Sequence, residues 1–114
     1  MSALIDLSPN AVHELLDKEP VLLVDVREIS EYSGKHIQGS LMLPMSVFDP
    51  EDFPKPMAGV HVVLICALGK RSVAAAKMLI DAGYGAPLIN LEGGIKAWAE
   101  AGLPLVMAPE DYSI

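Results

Sequence analysis

Cysteine occurs once in these 114 residues, at position 66, so the chain holds no internal disulfide. A lone thiol suits a reducing compartment, and a cytoplasmic location is the expectation. Cations are scarce as well: eight Lys and Arg stand against fifteen Asp and Glu, for a formal charge of −7. Nucleic acid and anionic membrane surfaces are held by clustered Lys and Arg, so neither is expected as a partner. Long apolar runs are missing; the longest lies around "VVLICAL" (62–68), far too short to span a bilayer. The start, "MSALIDLSPN", lacks a basic segment followed by an apolar one, so no secretory leader is expected. There is no internal repeat and no low-complexity segment. The rest is an ordinary globular balance, 52% hydrophobic and 20% charged. The length predicts one domain over 1–114, with its core over about 4–105 and a loose acidic tail over 106–114.

The patterning predicts strands alternating with helices. "LSPNAVHELLDKEP" (7–20) reads as a helix capped by Ser8, with Pro9 in its first turn and Pro20 closing it. "VLLVDV" (21–26) and "VHVVLIC" (60–66) are apolar without alternation, the mark of strands buried on both faces. A short helix ending near Gly34, a strand over 40–44 and a proline-bearing loop over 49–59 fill the middle. The second half adds a helix over 72–84, a strand within 87–94 and a helix over 95–104 stopped by Gly102 and Pro104. This order predicts an α/β domain with a mainly parallel sheet, whose ligands bind beyond the carboxyl ends of the strands. Cys66 sits at such an end.

In "CALGKRS" (66–72), a buried strand stops at Cys66 and a helix begins near Ser72. Gly69 can take a positive φ in the tight turn between them. Successive N–H groups of such a turn converge into an anion-binding nest, and the helix start adds its own N–H groups. Lys70 and Arg71 add two formal charges, and the planar fork of Arg71 suits an oxyanion better than the ammonium of Lys70 does. A free cysteine, with a pKa of about 8.5, is only a few per cent thiolate at neutral pH, and a sulfur in this cradle gains thiolate character. Two readings stand at this point. Cys66 is either a small core hydrophobe, the usual fate of a cysteine in an apolar strand, or a nucleophile in an anion cradle.

The loop resembles the active-site loop of rhodanese-like domains, C-x-x-G-x-R-S. Two further blocks carry the same resemblance in the same order. "LLVDVREISEYSGKHIQGSLMLP" (22–44) resembles the family's first-half signature, and "LINLEGGIKAWAEAGLPL" (88–105) its closing segment with a Gly-Gly turn and a Trp-bearing helix. The resemblance implies a five-stranded, mainly parallel sheet with helices on both faces, present as a single domain. It implies sulfur transfer: Cys66 takes a sulfane sulfur from a donor such as thiosulfate, holds it as a persulfide and yields it to cyanide or a thiol. Ala67, Leu68, Gly69, Lys70, Arg71 and Ser72 are implied as the substrate-binding loop, with no cofactor. His13, His36 and His61 show no ligand spacing with the cysteine, so no metal site is expected. Six residues from Cys66 to Arg71 match the sulfurtransferases, whereas related phosphatases and arsenate reductases have seven. Many relatives place an arginine after the cysteine, and Ala67 and Leu68 depart from that; the apolar lip suits a protein or small thiol partner. The alternatives are a non-catalytic binding module and a small phosphatase or arsenate reductase of the same fold.

Several other residues have structural readings. Asp25 and Arg27 are expected to form an ion pair that fixes loops, with Glu28 beside them. His36 is expected to bond backbone, and Trp98 to pack in the core. Gly93 and Gly94 are expected to permit a turn near the mouth of the site. Met42, Met45 and Met57 are expected to pack the middle loops.

Overall fold

In a computed structural model of the chain, which describes residues 4–108, strand β1 (Leu4–Leu7) is followed by helix α1 (Pro9–Lys18), β2 (Val21–Asp25) and α2 (Ile29–Gly34). Short strands β3 (Lys35–His36) and β4 (Leu41–Met42) come next, then two single-turn 3-10 helices over Met45–Val47 and Pro50–Asp52. The second half runs β5 (His61–Ile65), α3 (Arg71–Asp81), β6 (Leu88–Leu91), α4 (Gly94–Glu100) and β7 (Val106–Met107). Five strands form one sheet in the order β1-β6-β5-β2-β4, and every neighbouring pair in it is parallel.

Helices cover both faces of this sheet, which explains the unalternating strands. Along β5, Val62 and Leu64 face α3 and pack with Ala75, Ala76 and Leu79. Val63 and Ile65 point the other way, toward Val12 of α1 and Ile95 and Trp98 of α4. A strand with an apolar cluster on each side has no polar positions to alternate. The same pleat decides where the thiol goes. Cys66 is in phase with Val62 and Leu64, so it belongs to the α3 cluster, at the carboxyl edge of the sheet.

Local chemistry sets most boundaries. The Ser8 hydroxyl accepts the Ala11 N–H at 3.2 Å, and Pro9 occupies the first helical position. Helix α3 begins at Arg71, one residue earlier than the spacing predicts. Asp25 and Arg27 form the expected pair: guanidinium Nη2 lies 2.9 Å from Oδ2, both side chains are buried, and Arg27 also donates to the Lys35 carbonyl at 2.7 Å. That single side chain ties the end of β2 to the start of β3. His36 contacts the Tyr32 carbonyl through Nδ1 (2.8 Å), and the Trp98 indole donates to the Pro104 carbonyl (2.8 Å). Met45 packs on the α3 cluster, whereas Met57 is exposed.

Two features differ from expectation. Leu4–Leu7 is an edge strand in register with Leu88–Leu91, at a place where the patterning predicts no element. The structured region also passes the expected limit at 105. Val106 and Met107 pair antiparallel with His36 and Lys35, and the Ala108 N–H donates to the Gly34 carbonyl at 3.0 Å. Those hydrogen bonds hold 106–108, which were expected in a loose tail; the rest of that tail, 109–114, lies outside the described residues. Among the described residues no helix is long and apolar enough to cross a membrane.

Candidate active site

The loop 66–71 is shaped by what its carbonyls find. The Cys66 and Ala67 carbonyls accept N–H groups from Ile95 (2.9 Å) and Lys96 (3.1 Å), the first turn of α4. The Gly69 carbonyl lies 3.4 Å from the Asn90 side-chain amide nitrogen. With the carbonyls directed outward to these donors, N–H groups of the turn face inward. Gly69 has φ +87° and its N–H donates to Cys66 Sγ at 3.0 Å. Gly94 is what lets α4 come so close. Its φ is +65°, and a Cβ there would overlap the Cys66 and Ala67 carbonyls.

Cys66 itself is 1% exposed. Burial pushes its thiol pKa up. The Ser72 hydroxyl, together with backbone groups of Ser72, Leu68 and Gly69, pulls it down, and the net effect is a lowered pKa. The core-hydrophobe reading accounts for the burial but not for a backbone N–H and a hydroxyl both gathered on one sulfur. Ser72 Oγ stands 3.3 Å from Sγ.

The two cations of the loop are unlike. Lys70 is exposed. Arg71, expected to present its fork to an oxyanion, instead closes it on Glu31: Nη1 to Oε1 and Nη2 to Oε2, both 2.8 Å. The Arg71 hydrogen bonds hold the Glu31 carboxyl at about 2, against its usual 4.5. Glu31 Oε1 also accepts the Glu28 N–H at 3.1 Å, so one carboxylate caps α2 and clamps it to the start of α3. The physical reason is proximity of a matching bidentate acceptor, which planar guanidinium prefers to solvent. Glu31 was not singled out from sequence, because its partner lies 40 residues away.

Beyond the sulfur lie two polar residues that sequence reasoning missed. The Ser72 hydroxyl donates to Asn90 Oδ1 in a short contact, and Asn90 Nδ2 donates to Asp6 Oδ1 at 2.9 Å. Asn90 is the one polar residue of β6, and it is buried. That isolation was the available signal, since a buried amide needs partners. On the other side, Leu68 is 56% exposed and borders a cavity of about 710 Å³ lined also by Ala67, Ile95, Ala99, Lys35 and Lys96.

Comparison with known proteins gives one consistent result. The model of the Rhodanese-like domain family matches residues 8–101. A protein of Allochromatium vinosum named sulfurtransferase is 42% identical over 105 residues, which cover 90% of this chain and 94% of that one. A protein of Synechocystis named only as uncharacterized is 39% identical over 102 residues; 90% of this chain is covered, but just 56% of that longer protein. A thiosulfate sulfurtransferase of Pseudoalteromonas translucida is 32% identical over 92 residues, with 77% of this chain and 82% of that one covered. Among solved structures, a rhodanese-related protein from Thermoplasma volcanium superposes with a TM-score of 0.75 at 28% identity, covering 90% of this chain and 97% of that one.

Proposed function

Because the chain belongs to the rhodanese-like domain family, we propose that it is a sulfurtransferase acting through Cys66, with thiosulfate as a competent donor. The observation that carries this reading is the buried Sγ with the Gly69 N–H at 3.0 Å inside a turn whose carbonyls are tied to α4. Such a turn stabilises negative charge on sulfur without a metal or an organic cofactor.

The Cys66 thiolate attacks the outer sulfur of thiosulfate. A Cys66 S–S bond forms, the donor S–S bond breaks, and sulfite leaves with its electron pair. The persulfide's outer sulfur then carries the charge at the mouth of the cradle. An acceptor thiolate or cyanide attacks that outer sulfur, the S–S bond breaks, and the Cys66 thiolate is restored. Two half-reactions through a covalent intermediate give ping-pong kinetics. Lys70, rather than Arg71, is the cation free to meet an anionic donor. Leu68 and the cavity beside it suit an acceptor that carries an apolar portion, such as a protein segment presenting a thiol. A six-residue loop favours sulfur over phosphate as the group held. With one unpaired cysteine, the protein fits the cytoplasm.

Intact-mass measurement tests the reading directly. Wild-type protein exposed to thiosulfate should gain one sulfur atom, lose it to cyanide, and regain it on a second exposure. Cys66→Ser should fold and gain nothing, since a hydroxyl is a far weaker nucleophile at neutral pH. Turnover of thiosulfate by Cys66→Ser would overturn the assignment.

A further inference from the structure

Four side chains, each from a different part of the fold, form one line of hydrogen bonds: Asp6 on β1, Asn90 on β6, Ser72 on α3 and Cys66 just past the end of β5. We propose that Asp6 and Asn90 are positioning residues that, by aiming the Ser72 hydroxyl, control how readily Cys66 ionises. The proposal rests on the reading of Cys66 as the nucleophile.

The argument is one of donor count. A carboxylate only accepts, so Asp6 requires the nitrogen end of the Asn90 amide. This fixes the oxygen end toward Ser72. Asn90 is buried, and its nitrogen also approaches the Gly69 carbonyl at 3.4 Å, so the loop side too requires a donor at that end. The Ser72 hydroxyl has one proton, and Asn90 Oδ1 takes it. Ser72 Oγ therefore meets Sγ as an acceptor, and the neutral thiol donates to it. For the thiolate to use Ser72, the hydroxyl must turn away from Asn90, leaving a buried amide oxygen short of its donor. Asp6 and Asn90 thus compete with the Cys66 thiolate for a single proton and favour the thiol.

The charged groups on the surrounding elements do not supply this effect. Arg71 is paired with Glu31, and Asp25 at the end of β2 is paired with Arg27. Lys70 and Lys96 are exposed, as is Glu92 after β6. Glu28 at the start of α2 accepts from Ser46 at 2.6 Å. None of these reaches the Ser72 hydroxyl, whereas the Asn90 oxygen does.

The chain has a single cysteine, so thiolate absorbance at 240 nm, read as the difference from Cys66→Ser at each pH, titrates one group. Asn90→Leu keeps the volume and the net charge while removing the competing acceptor. It should lower the titration midpoint by about half to one pH unit, the worth of one hydrogen bond. Asp6→Ala, at an exposed position and safe for folding, leaves the amide orientation to the long Gly69 contact alone, loosens its hold on the Ser72 hydroxyl and should lower the midpoint in the same direction. Ser72→Ala removes both the thiol's acceptor and the turned hydroxyl's hydrogen bond to the thiolate; the bond to the charged form is the stronger, so the midpoint should rise. The decisive measurement is Asn90→Leu in the Ser72→Ala background, where the shift should vanish. A midpoint unmoved or raised in Asp6→Ala, or a shift from either variant that persists undiminished without Ser72, overturns the proposal; Asp6→Ala, measured with and without Ser72, decides alone should Asn90→Leu not fold. The titration needs no sulfur donor. Failure of persulfide formation would leave its outcome standing, and failure of the relay would leave wild-type sulfur transfer intact.

Discussion

Arg71→Ala removes the clamp between α2 and α3, and its consequence can be worked from the pair. Glu31 titrates at about 2 instead of 4.5, chiefly through its two hydrogen bonds from Arg71. At face value a displacement of that size is about 3 kcal/mol. The two side chains are 38% and 34% exposed, so solvent screens the pair and a contribution of about 1–2 kcal/mol is expected. Because folding depresses this pKa, the stabilisation is fully present above about 4.5 and is lost as pH falls through about 2. Urea unfolding of the wild type and of Arg71→Ala from about pH 6 to about pH 3 provides the assay. The variant should be less stable by about 1–2 kcal/mol at the upper end, and the gap should narrow steadily below pH 4.5. Glu31→Gln should close most of the gap at every pH, and the double variant should differ little from either single one. A gap that stays constant across this range would refute the account, since the lost interaction would then not involve an ionised carboxylate.

Gly94→Ala should destabilise the fold by more than the ~1–2 kcal/mol cost of a left-handed alanine, because its methyl also meets the Cys66 and Ala67 carbonyls; urea midpoints and sulfur loading should fall together. Lys70→Ala should raise the KM for thiosulfate about two- to fivefold, the worth of an exposed charge contact, and raise it less for a singly charged thiosulfonate donor; equal effects on both donors would remove Lys70 from donor binding. The wild type should hydrolyse aryl phosphates negligibly, and insertion of one glycine after Ala67 should raise that activity while lowering sulfur transfer; appreciable phosphate turnover by the unaltered chain would reverse the branch assignment.

The fold was legible where burial on two faces erased alternation. Val21–Asp25 and His61–Ile65 needed no neighbours to be recognised, because unbroken Val, Leu and Ile runs of strand length have few other uses. Leu4–Leu7 escaped for the opposite reason: four residues on an edge, with Ile5 and Asp6 exposed, carry no period. Val106–Met107 escaped because a two-residue pairing with Lys35–His36 is made entirely by backbone groups, which every residue has. The site divides along the same line. Residues 66–72 are contiguous, so their order announces a strand, a turn and a helix start. Glu31 and Asn90 act across 40 and 18 residues of chain, and nothing local in "ISEYSG" or "LINL" says what they will face. Arg71 shows the hazard in reading a cation as a ligand group: the charge was legible, but the carboxylate already waiting for it was not.

Burial and ionisation pull against each other at Cys66, and the proposed sulfur transfer would give that conflict a use. A thiolate at a 1% exposed sulfur bears a desolvation cost that the Gly69 and Ser72 hydrogen bonds must offset. In the proposed reaction, loading would move the charge one atom outward, leave Sγ uncharged and let the Ser72 hydroxyl return to Asn90 Oδ1. On the sulfurtransferase reading, the empty site is the more strained electrostatically and the loaded site the better satisfied. Deep placement of Sγ on the α3 face of β5 would then favour capture of sulfur, and the exposed lip at Leu68 would be where an acceptor comes to collect it.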